Sequence, residues 1–136
     1  MLEHTLGRTG RTVSAIGLGT WQLGADWGDV TEADAFEVLD AAAADGVTFF
    51  DTADVYGDGR SESIIGAWRA GNPGVDVTVA TKMVRRADVP DSAALTRANM
   101  LAWTDRSRRN LRVDTLDLVQ LHWPRTEVYT NDRVFD

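Results

Sequence analysis

The stretch Val47-Thr48-Phe49-Phe50-Asp51 joins β-branched and aromatic residues and ends on a carboxylate. A run this short and this apolar reads as a buried strand. Val77-Thr78-Val79-Ala80-Thr81 and Leu116-Asp117-Leu118-Val119-Gln120-Leu121 share its character. Ile16-Gly17-Leu18-Gly19-Thr20 is a fourth, weaker candidate. Their starts recur every 30 to 40 residues or so, roughly the length of a strand–helix–strand unit.

The gaps between these runs carry helix signals. Thr31-Glu32-Ala33-Asp34 has the form of a capping box, with Asp in the usual place of Glu. Phe36, Leu39, Ala43 and Val47 follow at helical spacing, and Gly46 stops the helix. Ser61-Glu62 opens a second helix with Ile64, Ile65 and Trp68 on its apolar side, and Gly71-Asn72-Pro73-Gly74 ends it. A third helix is expected from about Leu95 to Leu111, with Met100, Thr104, Ser107 and Leu111 as its inner stripe. Ahead of all this, Leu6 to Val13 reads as a β-hairpin around a glycine-bearing turn. Asn131 to Asp136 reads as the first turns of a further helix. Strands alternating with helices imply a parallel sheet with right-handed crossovers. The expectation is one domain over residues 1–136, a hairpin cap at 1–16 followed by βαβαβαβ over 17–136.

Composition narrows the partners. The formal net charge of −7 argues against nucleic acid and against an anionic membrane surface. Arg106, Arg108, Arg109 and Arg112 cluster locally, and on a helix they read first as a solvated face. The absence of cysteine excludes a disulfide framework and a thiolate metal site. His4 and His122 share no metal-ligand spacing, so no metal is expected. There is no apolar run of membrane-spanning length, and Met1-Leu2-Glu3-His4 does not resemble a signal peptide. The expected location is therefore cytoplasmic.

The polar residues at the strand ends are the informative ones. The first strand ends in Gly19-Thr20-Trp21 and the second in Asp51, while Lys82 and His122 directly follow the third and fourth. In a parallel α/β barrel these ends converge on one rim, where chemistry sits. Asp51, Lys82 and His122 are thus expected in one pocket, with Tyr56 leaning over it from the loop beyond Asp51. Together they make a coherent acid site. A tyrosine is a reluctant proton donor near neutral pH, and a nearby ammonium favours its phenolate. A buried lysine needs a counter-charge, which Asp51 supplies. An imidazole can hydrogen-bond and orient a carbonyl oxygen. Taken singly, each residue has an ordinary structural use as cap, packed aromatic or surface cation. Their joint placement on successive strand ends is far harder to obtain by accident.

At these residues the sequence resembles the aldo-keto reductases. Gly17-Leu18-Gly19-Thr20-Trp21 is similar to the family's first-strand motif, and Phe50-Asp51-Thr52-Ala53-Asp54-Val55-Tyr56-Gly57 to its second-strand signature. Ala80-Thr81-Lys82-Met83 and Leu116 to Pro124 resemble the third- and fourth-strand motifs, and Ser61-Glu62 the start of the intervening helix. The style resembles the bacterial, channel β-subunit-like branch. The resemblance implies a (β/α)8 TIM-type barrel of which the hairpin and first four strands are present, since a complete barrel takes roughly 200 residues or more. It implies reduction of aldehydes and ketones by NADP(H), less often NAD(H), with direct hydride transfer. Tyr56 would be the general acid, Lys82 and Asp51 would tune it, and His122 would position a small-molecule carbonyl substrate. Gly19, Thr20, Trp21 and Asp51 would line the nicotinamide end of the cofactor. Trp21, Trp27 and Trp123 would wall the substrate pocket beside Tyr56 and His122, and the hairpin would plug the barrel bottom. The family's grip on the remaining cofactor lies in the later strands, so residues 1–136 alone are expected to be marginal, inactive or oligomeric. Two other readings stand beside this one. One is a catalytically idle binding or regulatory piece on the same fold. The other is a metal-dependent hydrolase barrel, which would need more ligands than His122 and the nearby carboxylates offer.

Overall fold

The computed structural model of the chain describes residues 1–24 and 28–135. Strands β1 (Glu3–Thr5) and β2 (Thr12–Ser14) pair antiparallel and form the N-terminal hairpin. Then follow β3 (Leu18–Gly19), α1 (Glu32–Ala44), β4 (Phe49–Asp51), α2 (Arg60–Gly71), β5 (Thr78–Met83), α3 (Arg97–Leu111) and β6 (Leu118–Leu121). Short 3-10 turns occupy Trp21–Gly24, Tyr56–Gly59, Thr126–Thr130 and Asp132–Val134. The sheet runs β3-β4-β5-β6 with every pairing parallel. This is the first-four-strand portion of the expected barrel architecture.

Local signals explain the helix ends. Thr31 Oγ1 accepts from the Asp34 amide, and the Asp34 carboxylate accepts from the Thr31 amide at 3.0 Å. The capping box is therefore complete with Asp in place of Glu. Gly46 lies past the end of α1 at φ +82°, the left-handed position that favours glycine. Thr96 caps α3 by accepting from the Asn99 amide.

Some expected boundaries move. Strand β3 is shorter than Ile16 to Thr20, because the Ile16 carbonyl accepts from Ser14 Oγ instead of joining the ladder. Strand β5 runs past Thr81, because Lys82 and Met83 pair with Gln120 and Leu121. Lys82 is thus within the strand, not just after it. The inner stripe of α3 is Trp103, Ser107 and Leu111, with Met100 and Thr104 only half-buried. The tail at Asn131 forms a 3-10 turn and not an α-helical start: Asn131 Oδ1 accepts from the Arg133 amide.

Packing places the site. One core joins Leu39 of α1 and Ile64, Ile65 and Trp68 of α2 to Phe50 and Val79 on one sheet face. Phe50 and Trp68 meet at 5.6 Å between ring centroids. Helices α2 and α3 approach so closely that a Cβ on Gly66 would lie 2.4 Å from the Asn110 carbonyl oxygen. The hairpin latches to the opposite end of the sheet from Lys82: Ser14 and Thr48 exchange hydrogen bonds of 2.8 and 2.9 Å at the start of β4. Arg11 also pairs with Asp117, just ahead of β6, at 3.2 Å.

Two substitutions test these features by urea unfolding. Gly66→Ala should lower the unfolding free energy by about 1–3 kcal/mol, through overpacking against rigid backbone. Thr31→Ala should lower it by about 1 kcal/mol through loss of the cap. A neutral Gly66→Ala would mean that α2 and α3 do not meet there.

Candidate active site

Alternation along the strands aims the polar residues. Successive side chains of a strand point to opposite faces. Phe50, Thr52 and Thr81 face the helices, where Thr52 and Thr81 bond Ser61 and Glu62 of α2. Asp51 and Lys82 therefore face the other way. Parallel register brings their strand ends level, with Asp51 beside Ala80 and Gly19, and Lys82 beside Gln120.

Lys82 is the hub. Its Nζ donates to Asp51 Oδ1 at 2.5 Å and to the Thr52 carbonyl at 2.7 Å. It also reaches Tyr56 Oη at 3.4 Å. The lysine side chain is 15% exposed, so the carboxylate offsets charge that water cannot fully solvate. Tyr56 is held from behind by a close backbone approach. A Cβ on Gly57 would lie 2.2 Å from the Gly24 carbonyl oxygen, and one on Gly24 2.6 Å from the Gly57 amide nitrogen. Only paired glycines let these two turns touch. Their contact sets Trp21 in a stacked arrangement on Tyr56, at 6.2 Å between centroids and 29° between planes.

His122 completes the group. Its ring stands edge-on to Tyr56 at 5.9 Å, and its backbone amide donates to the Met83 carbonyl at 2.8 Å. Burial, then the positive charges of Lys82 and Arg85, push its pKa down to about 4. The imidazole is neutral at physiological pH. Its Nδ1 is buried and has no hydrogen-bond partner among the described residues.

Asp51, Tyr56, Lys82 and His122 thus meet at one rim, as the strand-end pattern led us to expect. The surrounding candidates divide. Gly19 is exposed at the end of β3, and a Cβ there would meet open space. Trp21 and Trp123 are large exposed rings near Tyr56 and His122. Thr20 instead turns inward. It is buried, its hydroxyl donates to the Asp51 carbonyl at 2.9 Å, and it accepts from Ser61 Oγ at 2.9 Å. Trp27 lies outside the described residues.

Sequence reasoning gave no role to the groups that brace this rim. Asp54 is fully buried. Burial raises its pKa, and Arg86, 3.3 Å away, opposes that shift. Arg86 also pairs with Asp58 at 2.5 Å, and Arg106 pairs with Asp58 at 3.1 Å. Arg106 is therefore tied down and not part of a solvated face. Glu62, also fully buried, accepts from Thr81 at 2.5 Å and Asn110 at 2.8 Å. The signal for Asp54 was its place two residues before Tyr56, with two consecutive arginines, Arg85 and Arg86, beyond the next strand.

Comparison with known proteins points to one family. The family model described as "Aldo/keto reductase family" matches residues 15–135. The chain is 36% identical over 129 residues to "Aldo-keto reductase YhdN" of Bacillus subtilis (strain 168), covering 90% of this chain and 38% of that protein. It is 36% identical over 130 residues to the "Probable voltage-gated potassium channel subunit beta" of Oryza sativa subsp. japonica, covering 91% and 38%. Among solved structures, an aldo-keto reductase from Klebsiella pneumoniae in complex with NADPH superposes with a TM-score of 0.72 at 30% identity, covering 91% of this chain and 40% of that one. The chain thus spans well under half the length of these relatives. With a matched model over nearly its whole length, the chain belongs to the aldo/keto reductase family.

Proposed function

We propose that this chain carries the proton-donor side of an NADP(H)-dependent carbonyl reductase acting on aldehydes or ketones. One observation carries the reading: Lys82 Nζ touches both the Asp51 carboxylate and the Tyr56 phenol, beside a neutral His122. NADP(H), when bound, supplies the hydride that adds to the carbonyl carbon. The open space at Gly19 beside Asp51 and the exposed Trp21 ring suit a flat ring approaching the rim, so these residues fit the nicotinamide end. Thr20 contributes indirectly, by holding the Asp51 backbone.

The proton follows from the residues. As the carbonyl carbon gains hydride, its oxygen becomes an alkoxide and takes the Tyr56 proton, giving the alcohol. The phenolate left behind lies beside the Lys82 ammonium, which stabilises it. Asp51 fixes that ammonium in place. His122, kept neutral, offers an N–H to the carbonyl oxygen without competing as an acid. Trp21 and Trp123 wall the substrate side with large, rigid surfaces.

The relative named as a potassium channel subunit favours a second reading: cofactor binding in a regulatory protein without turnover. NADPH titration against tryptophan fluorescence, followed by an aldehyde-dependent NADPH oxidation assay, separates the two. Binding with no oxidation supports the second.

Under the reductase reading, Tyr56→Phe should cut aldehyde reduction by about 10²–10⁴-fold while leaving NADPH binding in place. Retained turnover would remove Tyr56 from the acid role. His122 gives a pH signature independent of activity. Its pKa of about 4 in the fold lies below the value of roughly 6.5 expected in an unfolded chain. Between those values the unfolded chain binds more protons, so this stability is present above pH 6.5 and is lost as pH falls toward 4. Asp54, whose pKa is raised, acts with the opposite sign above its ordinary value of 3.8. His122→Gln removes only the first effect. The stability of the wild type relative to this variant should therefore fall by about 2 kcal/mol from pH 7 to pH 4 in urea titrations. A gap that does not change with pH would contradict the shifted imidazole.

A further inference from the structure

Two adjacent arginines leave β5 and meet different fates. Arg86 is bound to Asp54 and Asp58. Arg85 is exposed and makes no hydrogen bond or ion pair among the described residues. Its guanidinium lies 4.5 Å from the centroid of the Trp123 ring. Stacking of this kind orients the guanidinium plane and leaves its edge N–H donors available. The same side chain lines a cavity of about 250 Å³ with Trp21, Val55 and Tyr56. The oriented cation therefore opens onto the same space as the Tyr56 phenol.

The backbone holds this pair at a cost. Val84, directly before Arg85, is fully buried with φ +91°, and Trp123 itself has φ +54°. A left-handed conformation is a true outlier for a β-branched residue and persists only where the surrounding structure holds it. Trp123 is nevertheless 73% exposed, so core packing does not explain its position. Both strained positions sit where β5 and β6 leave the sheet at the rim, one directly before Arg85 and the other at Trp123 itself. The surrounding charge points the same way. Lys82 is balanced by Asp51, and Arg86 and Arg106 by Asp54 and Asp58, so among the described residues Arg85 is the cation beside Tyr56 that no carboxylate balances.

We propose that Arg85, oriented by Trp123, binds an anionic group on the substrate, so that the preferred substrates are aldehydes or ketones carrying a carboxylate or phosphate. This rests on the reductase reading of the same site. A molecule that places its carbonyl at Tyr56 then presents its anion to a charge-assisted, two-pronged hydrogen bond at Arg85. Trp21 and Val55 cover the apolar part between them.

The test compares 3- and 4-formylbenzoate with their methyl esters in NADPH-dependent reduction by the full-length protein. The acids should be preferred in kcat/KM by about tenfold or more. Arg85→Gln should reduce kcat/KM for an acid about tenfold more than for its ester, with Arg85→Lys recovering part of the difference. Three results would overturn the proposal: no acid preference, equal losses on acid and ester, or a loss explained by a raised KM for NADPH. If neither acid nor ester is turned over, the reductase reading fails, and binding decides the anion site separately. Quenching of tryptophan fluorescence by 4-formylbenzoate that disappears in Arg85→Gln supports it. Absent or unchanged quenching overturns it.

Discussion

A lysine ammonium at the mouth of a parallel sheet, largely withheld from water, cannot stand without an anion against it. Lys82 meets that demand with Asp51 from the neighbouring strand, and the site is organised around that contact. The pair forms only because parallel register sets the ends of β4 and β5 level, and because both residues alternate onto the face away from the helices. Tyr56 and His122 are then positioned relative to Lys82, one from the loop after β4 and one from the end of β6. Shifting either strand by one residue would turn the corresponding charge to the helix-facing side of Phe50 and Val79 and away from its partner.

The two ends of the sheet do different work. At the starting end of the strands, Ser14, Thr48, Arg11 and Asp117 fasten the hairpin with ordinary polar contacts. At the other end the polar groups are buried, paired and in places strained. Thr20, Thr52 and Ser61 form a closed hydrogen-bond chain behind Asp51, and Glu62 ties Thr81 to Asn110 across α2 and α3. Networks of this kind are costly when incomplete and rigid when satisfied. Their concentration beneath one rim is what a site needing fixed side-chain positions requires.

Much of this was legible in the sequence. The strand runs, the Thr31 capping box and the polar residues at strand ends all depend on local patterns that survive without tertiary information. Three features did not. Lys82 fell inside β5 because the ladder to β6 extends two residues beyond the apolar run, and only the partner strand decides that. Trp103, not Met100, anchors α3, because weak helical amphipathicity leaves the choice to the surface it meets. The inward turn of Thr20 depends on Ser61, forty-one residues away. In each case the deciding partner is distant in sequence.

The braces around Tyr56 show what such distant partners do. Asp54 is buried, and one of its carboxylate oxygens has no hydrogen-bond partner among the described residues, so it contributes poorly to stability on its own account. Arg86 and Arg106 nevertheless reach its backbone carbonyl, at 3.1 and 3.3 Å, as well as the acidic groups of the loop. The loop from Asp54 to Gly59 includes three successive residues with positive φ, Gly57, Asp58 and Gly59, and belongs to no strand or α-helix. Left to itself, such a loop would sample many conformations and carry Tyr56 with it. Two guanidiniums, each with several donors in one plane, are well suited to fix it. The unfavourable burial of Asp54 is offset by the ordering of Tyr56, the side chain whose placement relative to Lys82 the proposed proton transfer depends on.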